Sequence, residues 1–219
     1  WPTIYEGLSQ LPPQVQKSWF SFDHYYSDCS FPQALEIVFG NNTKTLLDVG
    51  GNTGRFALRC VDYNEDVEVT IMDLPQQLDL MRKHVAGKVG SERIYGYGND
   101  LLNPKSEFPK PFDAIWMSQF LDCFSNEEVT SILSRAAASM NEETRLYIME
   151  TIWDRQRFET ASYCMAQISV YFTAMANGNS KMFYSGDLEK CIFDAGLMIE
   201  TIHDELGMGH SLLVCKKRP

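Results

Sequence analysis

The order of hydrophobic and polar positions divides the chain into two regimes. Residues 1–40 carry closely spaced aromatics, Trp19, Phe20, Phe22, Tyr25, Tyr26 and Phe31, followed by Ala34, Leu35, Ile37 and Val38. That spacing predicts helical segments broken at Pro12-Pro13 and Pro32, a lead-in that packs on the domain after it. From Lys44 the pattern changes to short apolar runs alternating with longer stretches of helical period. Thr45–Val49 reads as a buried strand, and the turn Gly50-Gly51-Asn52-Thr53-Gly54 leads from it into a helix through Cys60. Further strands are predicted over 67–72, ending at Asp73, and over 93–97, 112–117 and 145–151. Helices are predicted from Pro75, which suits a first helical turn, and after Ser125, where Ser125-Asn126-Glu127-Glu128 has the form of a capping box. Two more are predicted over 158–176 and 186–195, and strands over 198–203 and 210–215 close the chain around Gly207 and Gly209. Strand and helix alternate repeatedly. This α/β pattern implies a mostly parallel sheet with helices on both faces and a C-terminal antiparallel hairpin, with ligand at the carboxyl ends of the strands.

The length of 219 residues fits one well-packed domain, at roughly 150 residues per domain. Lys plus Arg number 19 and Asp plus Glu 29, a net charge of −10. Such a surface repels phosphate backbones, so a nucleic-acid partner is excluded in favour of a small molecule. The one basic cluster, Lys216-Lys217-Arg218, is expected to be a solvated tail. Cysteines at 29, 60, 123, 164, 191 and 215 are scattered, so no metal site is expected, and most should be buried thiols in a reducing compartment, the cytoplasm. No apolar run approaches the roughly 18 residues of a membrane span, and no signal peptide is evident.

The strongest chemical signal is Asp48-Val49-Gly50-Gly51-Asn52-Thr53-Gly54 directly after a predicted buried strand. Glycines let the backbone turn sharply and approach a ligand, and the helix that follows offers free N–H groups to an anion. Asp73 ends the next strand 19 residues beyond Gly54, where an acidic side chain suits ribose hydroxyls. Asp100 follows Gly96-Tyr97-Gly98-Asn99 at the end of the third strand. Together these form one nucleoside-binding rim. A nicotinamide dinucleotide and S-adenosylmethionine both suit such a rim. The glycines at 50, 51 and 54 depart from the dinucleotide spacing G-x-G-x-x-G, and Asp48 before the loop suits an ammonium and a sulfonium better than two phosphates.

The stretches Leu47-Asp48-Val49-Gly50-Gly51-Asn52-Thr53-Gly54, Met72-Asp73-Leu74-Pro75 and Asn99-Asp100-Leu101-Leu102 resemble the successive motifs of plant-type, caffeate- and hydroxyindole-like O-methyltransferases. The resemblance runs over nearly the whole chain. It implies a Rossmann-like, seven-stranded class I methyltransferase fold using S-adenosyl-L-methionine, with S-adenosyl-L-homocysteine as product and a small hydroxylated aromatic as acceptor. By the same resemblance, Asp48, Gly50, Gly51 and Gly54 would shape the methionine end of the site. Asp73 with Leu74 would hold the ribose, and Asp100 with Leu101 the adenine. It also implies a further N-terminal helical domain that dimerises, so residues 1–40 are read as connector, 41–219 as the catalytic domain, and the full-length protein as a homodimer.

Three departures bear on chemistry. The family's base is a His in hydrophobic-x-His-Asp-Trp-Ser, and here the segment is Phe120-Leu121-Asp122-Cys123-Phe124-Ser125, which puts Asp122 in its place. Ser118 stands where a family lysine frames the adenine. Of two flanking family glutamates, one matches Glu150, and the second falls at Lys181-Met182 and is missing. An Asp at its ordinary pKa faces a phenol across roughly 6 pK units, on the order of 8 kcal/mol. Burial among Phe120, Leu121 and Phe124, with the charge of Glu150, would raise it toward a useful value. Asp122 is therefore the expected base with Glu150 in support, although it also reads as a residue leading into the Ser125 helix. His24, His84, His203 and His210 are isolated and read as structural or surface groups. Tyr163, Met165, Tyr171, Phe172 and Met175 form a stripe of helical spacing that reads as core or, with Met182 and Phe183, as an acceptor pocket. The alternative to O-methylation is a relative that binds S-adenosylmethionine but methylates nitrogen or transfers no methyl group.

Overall fold

A computed structural model describes residues 7–109, 112–176 and 178–219. The lead-in forms helices α1 (Pro13–Asp28) and α2 (Phe31–Phe39). Pro13 and Pro32 sit in the first turns of these helices, so the prolines open helices rather than break them. Strand β1 (Thr45–Val49) leads to α3 (Arg55–Tyr63), β2 (Glu68–Asp73) to α4 (Pro75–Val85), and β3 (Ile94–Gly98) to β4 (Ala114–Ser118). Then follow α5 (Asn126–Ser139), β5 (Arg145–Glu150), α6 (Glu159–Met175), α7 (Ser185–Asp194), β6 (Leu197–Leu206) and β7 (His210–Lys217). Ser125 caps α5 with the full capping box: its side chain accepts from Glu128 N while Glu128 accepts from Ser125 N.

The seven strands lie in the order β3-β2-β1-β4-β5-β7-β6. The first five pair in parallel and β7 is antiparallel to both β5 and β6. Successive residues of each central strand face opposite sides, and each side has its own core. Leu47, Ile115, Met117 and Ile148 join α5 and α7 on one face. Leu46, Ile71, Trp116 and Tyr147 join α2, α3 and α4 on the other. Helix α2 is thus part of the sheet's own packing, with Phe31, Ala34, Leu35 and Val38 buried.

The last two strands run further than the pattern predicts, and they hold a correction. Lys216 and Lys217 are strand residues, Lys216 paired with Glu200 at 2.7 Å, and Arg218 lies over the Phe193 ring at 4.0 Å. The basic cluster therefore continues β7, an inner strand flanked by β5 and β6, and is not a solvated tail. Of the cysteines, Cys60, Cys191 and Cys215 are buried, Cys123 is half-buried, and Cys29 and Cys164 are exposed.

The chain places β1, β2 and β3 on one side and then crosses to β4 on the other side of β1. The loops leaving β1 and β4 diverge at that switch and open a crevice, which is where a ligand belongs.

Candidate active site

A cavity of about 920 Å³ occupies this crevice. Asp48, Gly50, Gly51, Asp73, Leu74, Asp100, Leu101, Ser118 and Asp122, all named from the sequence, line it together. Gly54 and Glu150 do not. Gly54 caps α3 with φ 79°, and a Cβ there would press on Val85, Ile71 and Met81 at 3.0 to 3.2 Å, so it permits close packing beneath the loop. Gly54 therefore supports the glycine loop from below, off the cavity wall.

The glycine loop is held by its own polar groups. Asn52 adopts φ 50°, which Asn tolerates, and its N–H donates to Asp73 Oδ2 at 2.9 Å. Gln77 Nε2 donates to Asn52 Oδ1 at 2.9 Å, and Leu74 N donates to Asp73 Oδ1 at 2.8 Å. Asp48 is buried beneath this loop with Oδ2 unpartnered, and burial with the nearby Asp73 charge pushes its pKa up to about 8. Asp73 is pushed up to about 6, burial outweighing its two backbone donors. Both carboxyls line the same end of the cavity. On the outer rim, Asp100 is exposed and turns its own loop by accepting from Leu102 N at 2.9 Å. Arg135 on α5 ties that loop down, donating to the carbonyls of Leu101 at 2.7 Å and Ser106 at 3.1 Å.

At the other end of the cavity, residues 121–123 form one 3-10 turn ahead of α5. Phe120 N and Leu121 N donate to Glu150 Oε1 at 3.1 and 2.8 Å. Asp122 N–H is drawn to the same carboxyl. Glu150 is thus the anchor under the turn that carries Asp122, fully buried rather than on the crevice wall. Burial and the Asp122 charge push its pKa well above the usual carboxylate range, against the pull of the backbone donors. The segment where a second glutamate was expected lies against the turn as well, Lys181 N donating to Asp122 O at 3.0 Å.

Several cavity residues carry no sequence motif. Trp19, Phe22 and Tyr26 of α1 and Ile168, Tyr171 and Phe172 of α6 line it, as does Met182. Phe183 is instead fully buried in the sheet's core, and Tyr163 faces solvent. Gln119 lines the cavity at φ 45°, with its N–H on Met149 O at 2.9 Å and its Oε1 buried without a partner. An ordinary residue held left-handed beside a cavity is a signature of a functional turn. His84, His203 and His210 do not line the cavity. His210 is buried against Ser30 Oγ at 3.0 Å, and burial pushes its pKa down to about 4. The side chains of His24 and Met175 lie outside the described residues.

A crevice at the strand-order switch, a glycine loop, and acidic residues at the ends of successive parallel strands define a Rossmann-like domain of the methyltransferase kind. The family model "O-methyltransferase domain" matches residues 26–197, and the chain belongs to that family. It is 24% identical over 198 residues to the L-tyrosine C(3)-methyltransferase of Streptomyces lavendulae, covering 90% of this chain and 53% of the relative. It is 26% identical over 194 residues to the norreticuline-7-O-methyltransferase of Papaver somniferum, covering 88% and 50%. Its fold superposes with a TM-score of 0.79, at 14% identity, on an O-methyltransferase from neocarzinostatin biosynthesis crystallised with S-adenosylmethionine and 2-hydroxy-5-methyl naphthoic acid, covering 97% of this chain and 60% of that one. The chain spans about half the length of the curated relatives it matches.

Proposed function

We propose that the protein transfers the methyl group of S-adenosylmethionine to a hydroxyl of a small aromatic molecule, with Asp122 as base. The observation that carries this reading is the continuity of the site: Asp48 and Asp73 at one end and Asp122 at the other line the same cavity. The residues present fit the cofactor. The unpartnered Asp48 Oδ2 lies behind a loop in which a Cβ on Gly51 would come within 2.8 Å of its carboxyl carbon, so only glycine lets the loop lie this close to the carboxyl. Asp73 would hold the ribose hydroxyls and Asp100 with Leu101 the adenine, while Ser118 stands beside them. Bound, the cofactor supplies an electrophilic methyl carbon on a sulfonium. The chain's part is to hold the acceptor in line with that carbon and to take its proton at the Asp122 carboxylate. The aromatic wall from α1 and α6 supports an aromatic acceptor, as do the names of relatives that act on L-tyrosine or hold 2-hydroxy-5-methyl naphthoic acid.

Location in the cytoplasm and dimerisation of the full-length protein belong to the same reading. No helix among the described residues is long and apolar enough to cross a membrane. The exposed Phe22 and Tyr25 of α1 and Tyr163 and Val170 of α6 supply apolar surface for a partner subunit. The test is titration with S-adenosylmethionine followed by mass analysis of a panel of phenols and amines incubated with protein and cofactor. Saturable binding and a phenol gaining one methyl group at oxygen are expected. No binding at millimolar cofactor overturns the cofactor assignment, and methylation of amines alone overturns the acceptor.

A further inference from the structure

The cavity meets the glycine loop at Phe120. A Cβ built on Gly50, whose φ is 69°, would lie 2.9 Å from Phe120 Cε2 and 3.0 Å from its Cγ, so the ring is seated directly on the loop's first glycine. Phe124 braces it edge to face, with ring centroids 5.0 Å apart. Both rings line the cavity and pack on the core beneath. Phe120 is also chained to the chemistry: its N–H is on Glu150 Oε1, and Asp122 follows two residues later.

We propose that the Phe120 ring is the group by which this site tells the charged cofactor from its uncharged product. The inference rests on the methyltransferase reading. If Asp73 holds the ribose and the Gly50-Gly51 loop the methionine moiety, the sulfur that joins them passes over Gly50, beside the ring seated there. Its methyl group must point toward Asp122, on the same short segment. An aromatic face attracts a positive charge through its quadrupole, and the attraction grows when water is excluded. Transfer of the methyl turns the sulfonium into a neutral thioether, so the attraction ends when the reaction does. Asp48 and Asp73 draw cations as well, but the product keeps the ammonium and the ribose hydroxyls that suit them. A ring beside the sulfur is therefore suited to weaken product binding selectively.

The experiment is calorimetric titration of the intact chain and of Phe120→Leu and Phe120→Tyr with three ligands. These are S-adenosylmethionine, S-adenosylhomocysteine and sinefungin, which carries an amine in place of the S-methyl group. Phe120→Leu should weaken the two ligands charged at that position by about 5- to 30-fold and leave S-adenosylhomocysteine within about 2-fold. Phe120→Tyr should behave as the native chain. Equal weakening of all three ligands, or of none, overturns the proposal, because a ring that only fills space on Gly50 does not distinguish charge. Should Phe120→Leu fail to fold, fluorinated phenylalanines incorporated at position 120 keep the shape and drain the ring's negative face. The loss of S-adenosylmethionine affinity should then grow with fluorine number while S-adenosylhomocysteine is unmoved, and a flat series overturns the proposal. A native chain that binds neither S-adenosylmethionine nor S-adenosylhomocysteine overturns the methyltransferase reading itself, an outcome distinct from a charge-blind Phe120.

Discussion

The main-chain amide of Leu121 donates to Glu150 Oε1 at 2.8 Å, and Phe120 N shares that oxygen at 3.1 Å. A strand-end carboxyl thereby fixes the turn that presents Asp122 to the cavity. Glu150→Gln keeps an acceptor oxygen for these amides and should leave the melting temperature within about 2 °C. Glu150→Ala strands buried donors, at about 1–3 kcal/mol each, and should lower the melting temperature by at least about 5 °C. Thermal melts of both variants decide the point, and an Ala variant as stable as the native chain would remove the anchoring role.

Asp122 should matter to turnover and not to cofactor binding. Asp122→Asn keeps the shape and removes the base, so the rate should fall at least about 100-fold while affinity for S-adenosylmethionine stays within about 3-fold. Initial rates with an accepted phenol, paired with a binding titration, check both halves. An unchanged rate would leave Asp122 as a structural residue of the turn.

The Asp48 carboxyl holds its proton in the folded chain up to about pH 8 but in the unfolded chain only to about 4. Its contribution to stability is therefore full below about pH 4 and lost as pH rises through about 8. Asp48→Asn should flatten the decline of melting temperature between pH 6 and 8.5, and should raise that temperature by several degrees at about pH 8. Cofactor affinity should fall in the same variant. Because a bound cation favours the ionised carboxylate, cofactor binding to the native chain near pH 7 should release protons, seen as a buffer-dependent binding enthalpy.

Arg135 ties the loop of Asp100 and Leu101 to α5 through the carbonyls of Leu101 and Ser106. Removing a charged donor from these bonds costs about 1.5–3 kcal/mol. Arg135→Ala should weaken S-adenosylmethionine about tenfold or more and lower the melting temperature by a few degrees. Affinity unchanged within about 2-fold would show that this loop does not hold the adenine.

Most of the frame was legible because it rests on local signals. Short apolar runs located the strands, Ser125 and Glu128 announced the start of α5, and the glycine loop with Asp73 located the crevice. What escaped is what tertiary packing decides. Nothing in the order of residues says that Glu150 turns beneath Leu121 instead of outward, because both positions suit a strand end. Gly54 and Gly50 look alike in the motif, yet one packs on Val85 and the other carries Phe120. Gln119 is unremarkable as a residue type, and only its backbone angle marks it. Arg135 reads as an ordinary exposed helix position until the loop it grips comes back from β3.

The walls of the cavity have two sources of different standing in the fold. Asp48 and Asp73, like the Glu150 anchor behind the wall, belong to inner strands of the sheet, where a change of one side chain disturbs a core. Trp19, Phe22 and Tyr171 sit on α1 and α6, helices whose outer faces meet solvent. On the proposed reading, contacts to the acceptor would lie on the periphery and contacts to the methyl donor in the interior. On that reading, substitutions on the cavity faces of those two helices should change which acceptor is taken and leave cofactor affinity in place.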